Sequence, residues 1–387
     1  MPKFRFSEDS YASIIMYYVA LAGSFPWKSL NLIPGSHTMV LRTIRGLRDE
    51  GYLIVKDKGE QKTLKIAKKA LSILDTVRPG LYDYYMFNSE NHTSRGAPAK
   101  DKATQFQLIA RKHRMAETYC MCNMIDSRLL FAEKPRLSIK YSNKDLSGWL
   151  DAPIFYNSRE IKGIDPEQQH KTEFSRITGL LISLGGCYNV YNVHNGLIKW
   201  NQYGENKAKV LTSDIINANF SSVFGANGMY KSDAAIMLAK DFSAAKAFLS
   251  SSGSRPDKNG FELISFDNTY PDIYLVPLDM YGALQLKILT FPDWHKRLMD
   301  CLFEDYNPNF YSAVDCDNFI NGKYVLSVLD GNIARLRRFN QAIYEKTSSE
   351  FEIICFPWQT ETVKDILDFD INILEVGVDD LINTFFN

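Results

Sequence analysis

The sequence predicts a multi-domain α/β chain, and three observations carry that reading. The first 75 or so residues run helix, short helix, turn, helix and strand pair. A polar stretch follows at residues 89–104, and beyond it strand-like and helix-like segments alternate to the end. At 387 residues the chain is too long for one small core. Three segments are expected: a helix-and-hairpin module at 1–80, a linker and basic helical segment at 81–140, and an α/β accessory domain at 141–387.

A first helix is expected from Asp9-Ser10, with Ala12, Ile15, Met16, Val19 and Ala20 forming an apolar stripe and Gly23 ending it. A short helix at Pro26–Leu32 and a turn at Ile33-Pro34-Gly35 lead to Ser36, a good N-cap for a third helix that ends near Glu50-Gly51. Val40, Leu41, Ile44 and Leu47 make its core face. Thr38, Arg42, Arg45 and Asp49 make the other face, with Met39 and Gly46 beside them. Arg bridges guanine O6 and N7, and Thr can touch a thymine methyl, so this face suits the major groove. After Gly51 the period changes to two. Tyr52–Lys56 and Thr63–Ile66 read as strands around a tip that carries Lys58, Gly59 and Lys62. Lys56, Lys58 and Lys62 are placed to meet phosphates.

The module resembles the winged-helix family. The shared order is helix, short helix, turn, the helix of "SHTMVLRTIRGLRDEGYL", a wing, and a closing "LKIAKKALSIL". That resemblance implies binding to double-stranded DNA, the alternative being a winged helix used only for protein contacts. Charge agrees: residues 1–80 hold 13 Lys and Arg against 7 Asp and Glu, 81–140 hold 10 against 6, and the rest hold 22 against 32. The net charge is zero, yet the basic end is suited to a polyanion.

Ser89–Thr104 reads as a linker. A helix is expected from Gln105 to about Leu130, carrying Arg111, Lys112, His113 and Arg114. Two readings stand for this basic run: Arg111, Lys112 and Arg114 neutralise phosphates, or they form a solvated face; His113 is expected as a surface or capping residue. "RKHRMAE", "FYNSREIKGID" and "SRITGLLISLGGCYNVYNVHNGLIKW" together resemble the replication-relaxation family of proteins carried on conjugative transposons and plasmids. The resemblance implies a role in replication or transfer of a mobile element, or its regulation, with a second copy or another mobile-element protein as partner.

Farther along, Ile154–Lys162 is a strand candidate and Lys171–Leu184 a helix candidate. Cys187–Val193 and Leu197–Asn201 suggest a hairpin about His194-Asn195-Gly196. Strand–helix pairs follow at 233–249, 324–344, 351–367 and 371–385. Glu160 and Lys162, two apart on the strand candidate, are compatible with a restriction-endonuclease-like fold. There an E-x-K strand supplies a magnesium-binding carboxylate and a lysine, with Asp151 as the upstream acid. The alternatives are a magnesium-dependent nuclease, an inactive domain of that fold, and a surface ion pair. No cofactor is expected otherwise, and no nicking of DNA with magnesium. A transcription regulator with a ligand-sensing second domain is a further reading. No phosphate-binding glycine motif follows a strand.

Six scattered cysteines fit buried thiols better than a disulfide framework. No run approaches the ~20 apolar residues of a membrane helix. Met1–Tyr11, with Lys3, Arg5, Glu8 and Asp9, lacks a signal-peptide pattern, so a cytoplasmic location is expected.

Overall fold

The computed structural model describes residues 4–7, 9–57, 61–89, 102–139, 145–164, 172, 175–194, 202–225, 229–249, 269–304, 306–307, 311–344, 346 and 348–386. It is mixed α/β, in two compact units, 1–136 and 137–387. The expected middle segment does not stand apart: its helix belongs to the first unit. No helix among the described residues is long and apolar enough to cross a membrane.

In the first unit, α1 (Tyr11–Ala22) starts at Ser10, whose side chain accepts from the Ser13 N–H at 3.2 Å, and ends at Gly23 with φ of 67°. Only glycine reaches that left-handed cap at no steric cost. A stripe is expected on α1, but ten of its twelve residues are buried. It packs against α2 (His37–Asp49), α3 (Leu74–Val77), α4 (Leu81–Ser89) and α5 (Lys102–Asn123). A helix apolar all round is a central helix, and "YASIIMYYVALA" fits that role. Strands β1 (Phe25–Pro26), β2 (Leu53–Lys56) and β3 (Thr63–Ile66) form an antiparallel sheet in the order β1-β3-β2.

The α5 helix is tied to this sheet by its inward face. His113 is buried, not at the surface, with Nε2 3.0 Å from Thr63 Oγ1. Four residues on, on the same face, buried Glu117 accepts from Ser29 Oγ at 2.6 Å. Polar residues in a buried position persist when hydrogen-bonded, and these two join α5 to the core of the module.

The second unit holds β4 (Ile154–Asn157), α6 (Ser158–Ile164), β5 (Gly179–Ser183), β6 (Gly186–His194), α7 (Gln202–Asn219), β7 (Ala234–Ala239), α8 (Ala244–Leu249), β8 (Asp272–Pro277), α9 (Met280–Thr290) and α10 (Trp294–Leu302). After them come β9 (Asn318–Ile320), β10 (Lys323–Ser327), α11 (Ile333–Ile343), β11 (Phe351–Cys355), α12 (Pro357–Ile366), β12 (Asn372–Glu375) and α13 (Val378–Phe385). One sheet runs β4-β5-β6-β7-β8, antiparallel as far as β6 and parallel beyond. The other runs β12-β11-β10-β9, with only β9 antiparallel. The first sheet thus adds two parallel strands to three antiparallel ones, and the second adds two to an antiparallel hairpin; parallel additions need crossover connections. Tyr191, Met237, Leu275, Leu326, Ile353 and Phe339 belong to one buried cluster shared by both sheets.

Three expectations change here. The E-x-K segment is not a strand: β4 stops at Asn157, and Ser158–Ile164 is helical. The expected helix 171–184 is replaced at its end by β5, which lies between β4 and β6 and is buried throughout. The hairpin found is β5–β6, closing at Leu184-Gly185; residues 195–200 lie outside the described ones.

Candidate nucleic-acid interface

The capping of α2 is the sequence's own: Ser36 Oγ accepts from the Met39 N–H at 3.3 Å. From that start Val40, Thr43, Ile44 and Leu47 turn inward, and Thr38, Arg42, Arg45, Arg48 and Asp49 outward. Arg48 bonds Asp49 at 2.8 Å. Arg42 and Arg45 have no ion pair or hydrogen bond among the described residues. Two unneutralised guanidiniums on one helix face leave ten N–H donors for an outside partner, each fork matching a planar pair of acceptors. Gly46, expected beside them at the surface, is instead buried under the ring of Phe4.

The lysines of the β2–β3 hairpin differ in their surroundings. Lys56 is exposed at the end of β2. Lys62 lies with Nζ 4.0 Å from the Trp27 ring centroid and 3.9 Å from Asp57 Oδ2, so part of its charge is answered inside the protein. Lys58 lies outside the described residues. If both described lysines face phosphate, Lys56→Gln lowers the slope of log affinity against log salt by about 0.9. Lys62→Gln lowers it by less. A salt titration on duplex DNA checks both, and an unchanged slope in Lys56→Gln removes the hairpin from the interface.

On α5, Arg111 is exposed, while Lys112 and Arg114 are half-buried. Lys112 Nζ donates to the carbonyl of Ser89, the last residue of α4, at 3.3 Å. A cation at a helix C-terminus meets the negative end of the helix dipole, which gives Lys112 an internal task. None of the three is without a partner.

Asp151, Glu160 and Lys162 do not form an E-x-K strand site. Glu160 closes a capping box: the Asn157 N–H donates to Glu160 Oε2 at 2.9 Å, and Asn157 Oδ1 accepts from the N–H groups of Arg159 and Glu160 at 2.8 and 3.0 Å. The signal was present as "NSRE", an N-cap residue followed three later by Glu. Lys162 turns inward toward Glu205 on α7.

No motif marks Glu205 in the sequence, yet it is the centre of a buried polar network. It is 1% exposed and accepts from Ser175 Oγ and the Arg176 N–H, both at 2.7 Å. Burial pushes its pKa up, against these hydrogen bonds, that of Tyr191, and the charge of Lys162. Tyr191 and Tyr270 hydroxyls lie 3.0 Å apart, and Asn189 Nδ2 donates to Tyr270 at 2.6 Å. Ser175 and Arg176 lead into β5 and serve this network. No pattern of spacing marks it, because its members come from separate elements.

A second charged group surrounds Asp317, which is buried and lies 2.7 Å from Arg335 Nη1 and 3.4 Å from His295 Nε2. Arg335 Nε donates to Asp315 at 3.0 Å. Asp315 and Asp317 are thus answered by cations of the chain, and no group of three metal-ligating side chains occurs among the described residues. Nearby Asp330 is buried, and burial pushes its pKa up to about 6, opposed by Arg335, the Asn332 N–H and His295, and aided by Asp317. A carboxyl raised in the folded state binds more protons there than in the unfolded chain. Its contribution to stability is therefore largest near pH 4 and falls as pH rises to about 6. Between pH 4.5 and 7, wild type should lose roughly 1–2 kcal/mol relative to Asp330→Asn. Urea unfolding at the two pH values measures this, and a constant difference contradicts it.

Four of the cysteines are buried and two half-buried, all as free thiols. No protein-family model matches the chain, and neither a curated protein nor a solved structure matches it.

Proposed function

We propose that the chain is a double-stranded DNA-binding protein whose first unit is a winged helix-turn-helix. On this reading α2 enters the major groove and the β2–β3 hairpin is the wing beside it. More particularly, the protein binds a site on a mobile element and acts, without catalysis, in its replication, transfer or regulation. The second unit serves as an accessory domain for a second copy or a mobile-element partner.

The observation that carries the reading is the pair Arg42 and Arg45, exposed and without a partner among the described residues, on a helix whose opposite face is buried. The order helix, strand, short helix, helix, strand, strand, with β1 completing the hairpin sheet, supports it. The excess of basic residues before residue 140 supports it as well. Selection of bound duplexes from a random pool by the full chain is the test. Enrichment of one sequence motif is expected, and a pool that stays random contradicts site binding.

A further inference from the structure

We infer that residues 4–6 are an arm held against α2, and that Arg5 on this arm contacts the phosphate backbone of the bound duplex. The inference rests on the reading of the first unit as a duplex-DNA binder. It starts from a glycine in the wrong place. Gly46 sits inside α2, where glycine weakens a helix relative to alanine. A Cβ there would lie 2.5 Å from Cζ of Phe4 and 3.0 Å from its Cε2. The ring therefore seats where only a hydrogen fits. Phe6 extends the attachment, with its ring edge-on to Tyr52 at a centroid distance of 5.0 Å and an angle of 72°. Between the two half-buried rings Arg5 is exposed, as alternation along an extended segment requires.

The seat decides what Arg5 can do. Gly46 lies one turn beyond Arg42 and next to Arg45, so the arm is fastened to the helix that carries the unpartnered guanidiniums. Arg5, like them, has no ion pair among the described residues. The one acid on that face, Asp49, is engaged by Arg48. An anchored arginine loses less freedom on binding phosphate than one on a loose terminus, which is the use of the two aromatic anchors. The ligand chemistry is the phosphodiester of duplex DNA, met without regard to sequence.

The test is fluorescence anisotropy of the full chain on one duplex over a range of salt. Arg5→Gln should lower the slope of log affinity against log salt by about 0.9, and Arg5→Lys should restore most of it. Phe4→Ala and Gly46→Ala should each reproduce the Arg5→Gln loss, and adding Arg5→Gln to either should change nothing more. Phe4→Ala leaves the α2 sequence intact, so a folding defect in Gly46→Ala does not decide the matter. If wild type binds no duplex, the reading of the first unit fails and the arm with it. If wild type binds but Arg5→Gln leaves the slope unchanged, the arm is overturned alone. If Arg5→Gln has its full effect in the Phe4→Ala background, the seat is overturned.

Discussion

Replacing Arg42 and Arg45 together by alanine is expected to abolish discrimination between the preferred duplex and a scrambled one. A bidentate arginine–guanine pair is worth about 1–3 kcal/mol of discrimination, so the double variant should lose roughly 2–6 kcal/mol of it. Affinity for the scrambled duplex should fall far less, because Lys56 and other backbone contacts remain. The fold should not change, since both side chains point to solvent and have no partner in the described structure. Competition binding with the two duplexes measures the ratio. An unchanged ratio in a folded double variant removes α2 as the reading element.

The second large effect belongs to stability. Glu205→Ala should destabilise the protein by about 2–5 kcal/mol, because it removes the buried carboxylate around which the network is built. It also strips acceptors from Ser175 Oγ and the Arg176 N–H. Glu205→Gln keeps an acceptor oxygen and should cost less than the alanine. Urea unfolding followed by fluorescence gives both values. A loss under about 1 kcal/mol for Glu205→Ala would mean that water enters and replaces the carboxylate. DNA binding by a still-folded Glu205→Gln should match wild type, since the network lies in the second unit.

The elements legible in the sequence were those whose signals are local. Ser36 and Gly23 mark helix ends through their own backbone and side-chain chemistry, and Arg42 and Arg45 fall opposite Val40, Ile44 and Leu47 by simple helical spacing. The failures came where partners lie far along the chain. Phe174, Ile177, Leu180, Leu181 and Leu184 have helical spacing, but Leu180 and Leu181 lie on β5 between two other strands. A central strand is apolar on both faces, so a short apolar run does not reveal its period. His113 reads as one of four polar residues in a basic run, and a partner such as Thr63, fifty residues earlier, gives it a buried role. Spacing alone gives α1 one apolar stripe, and only α4 and α5, which lie far along the chain, explain why its whole circumference is apolar. Glu160 and Lys162 are two apart, as an E-x-K strand requires. The capping box at Asn157 makes the same two residues part of a helix, where a separation of two turns them to different sides.

The central claim, that the first unit recognises a duplex, is tested most directly by titrating the full chain with its pool-selected duplex and a scrambled one at fixed salt. The account predicts saturable binding to both, with the selected site at least about 10³-fold tighter. Equal affinity for the two duplexes, or no binding to either, would contradict it.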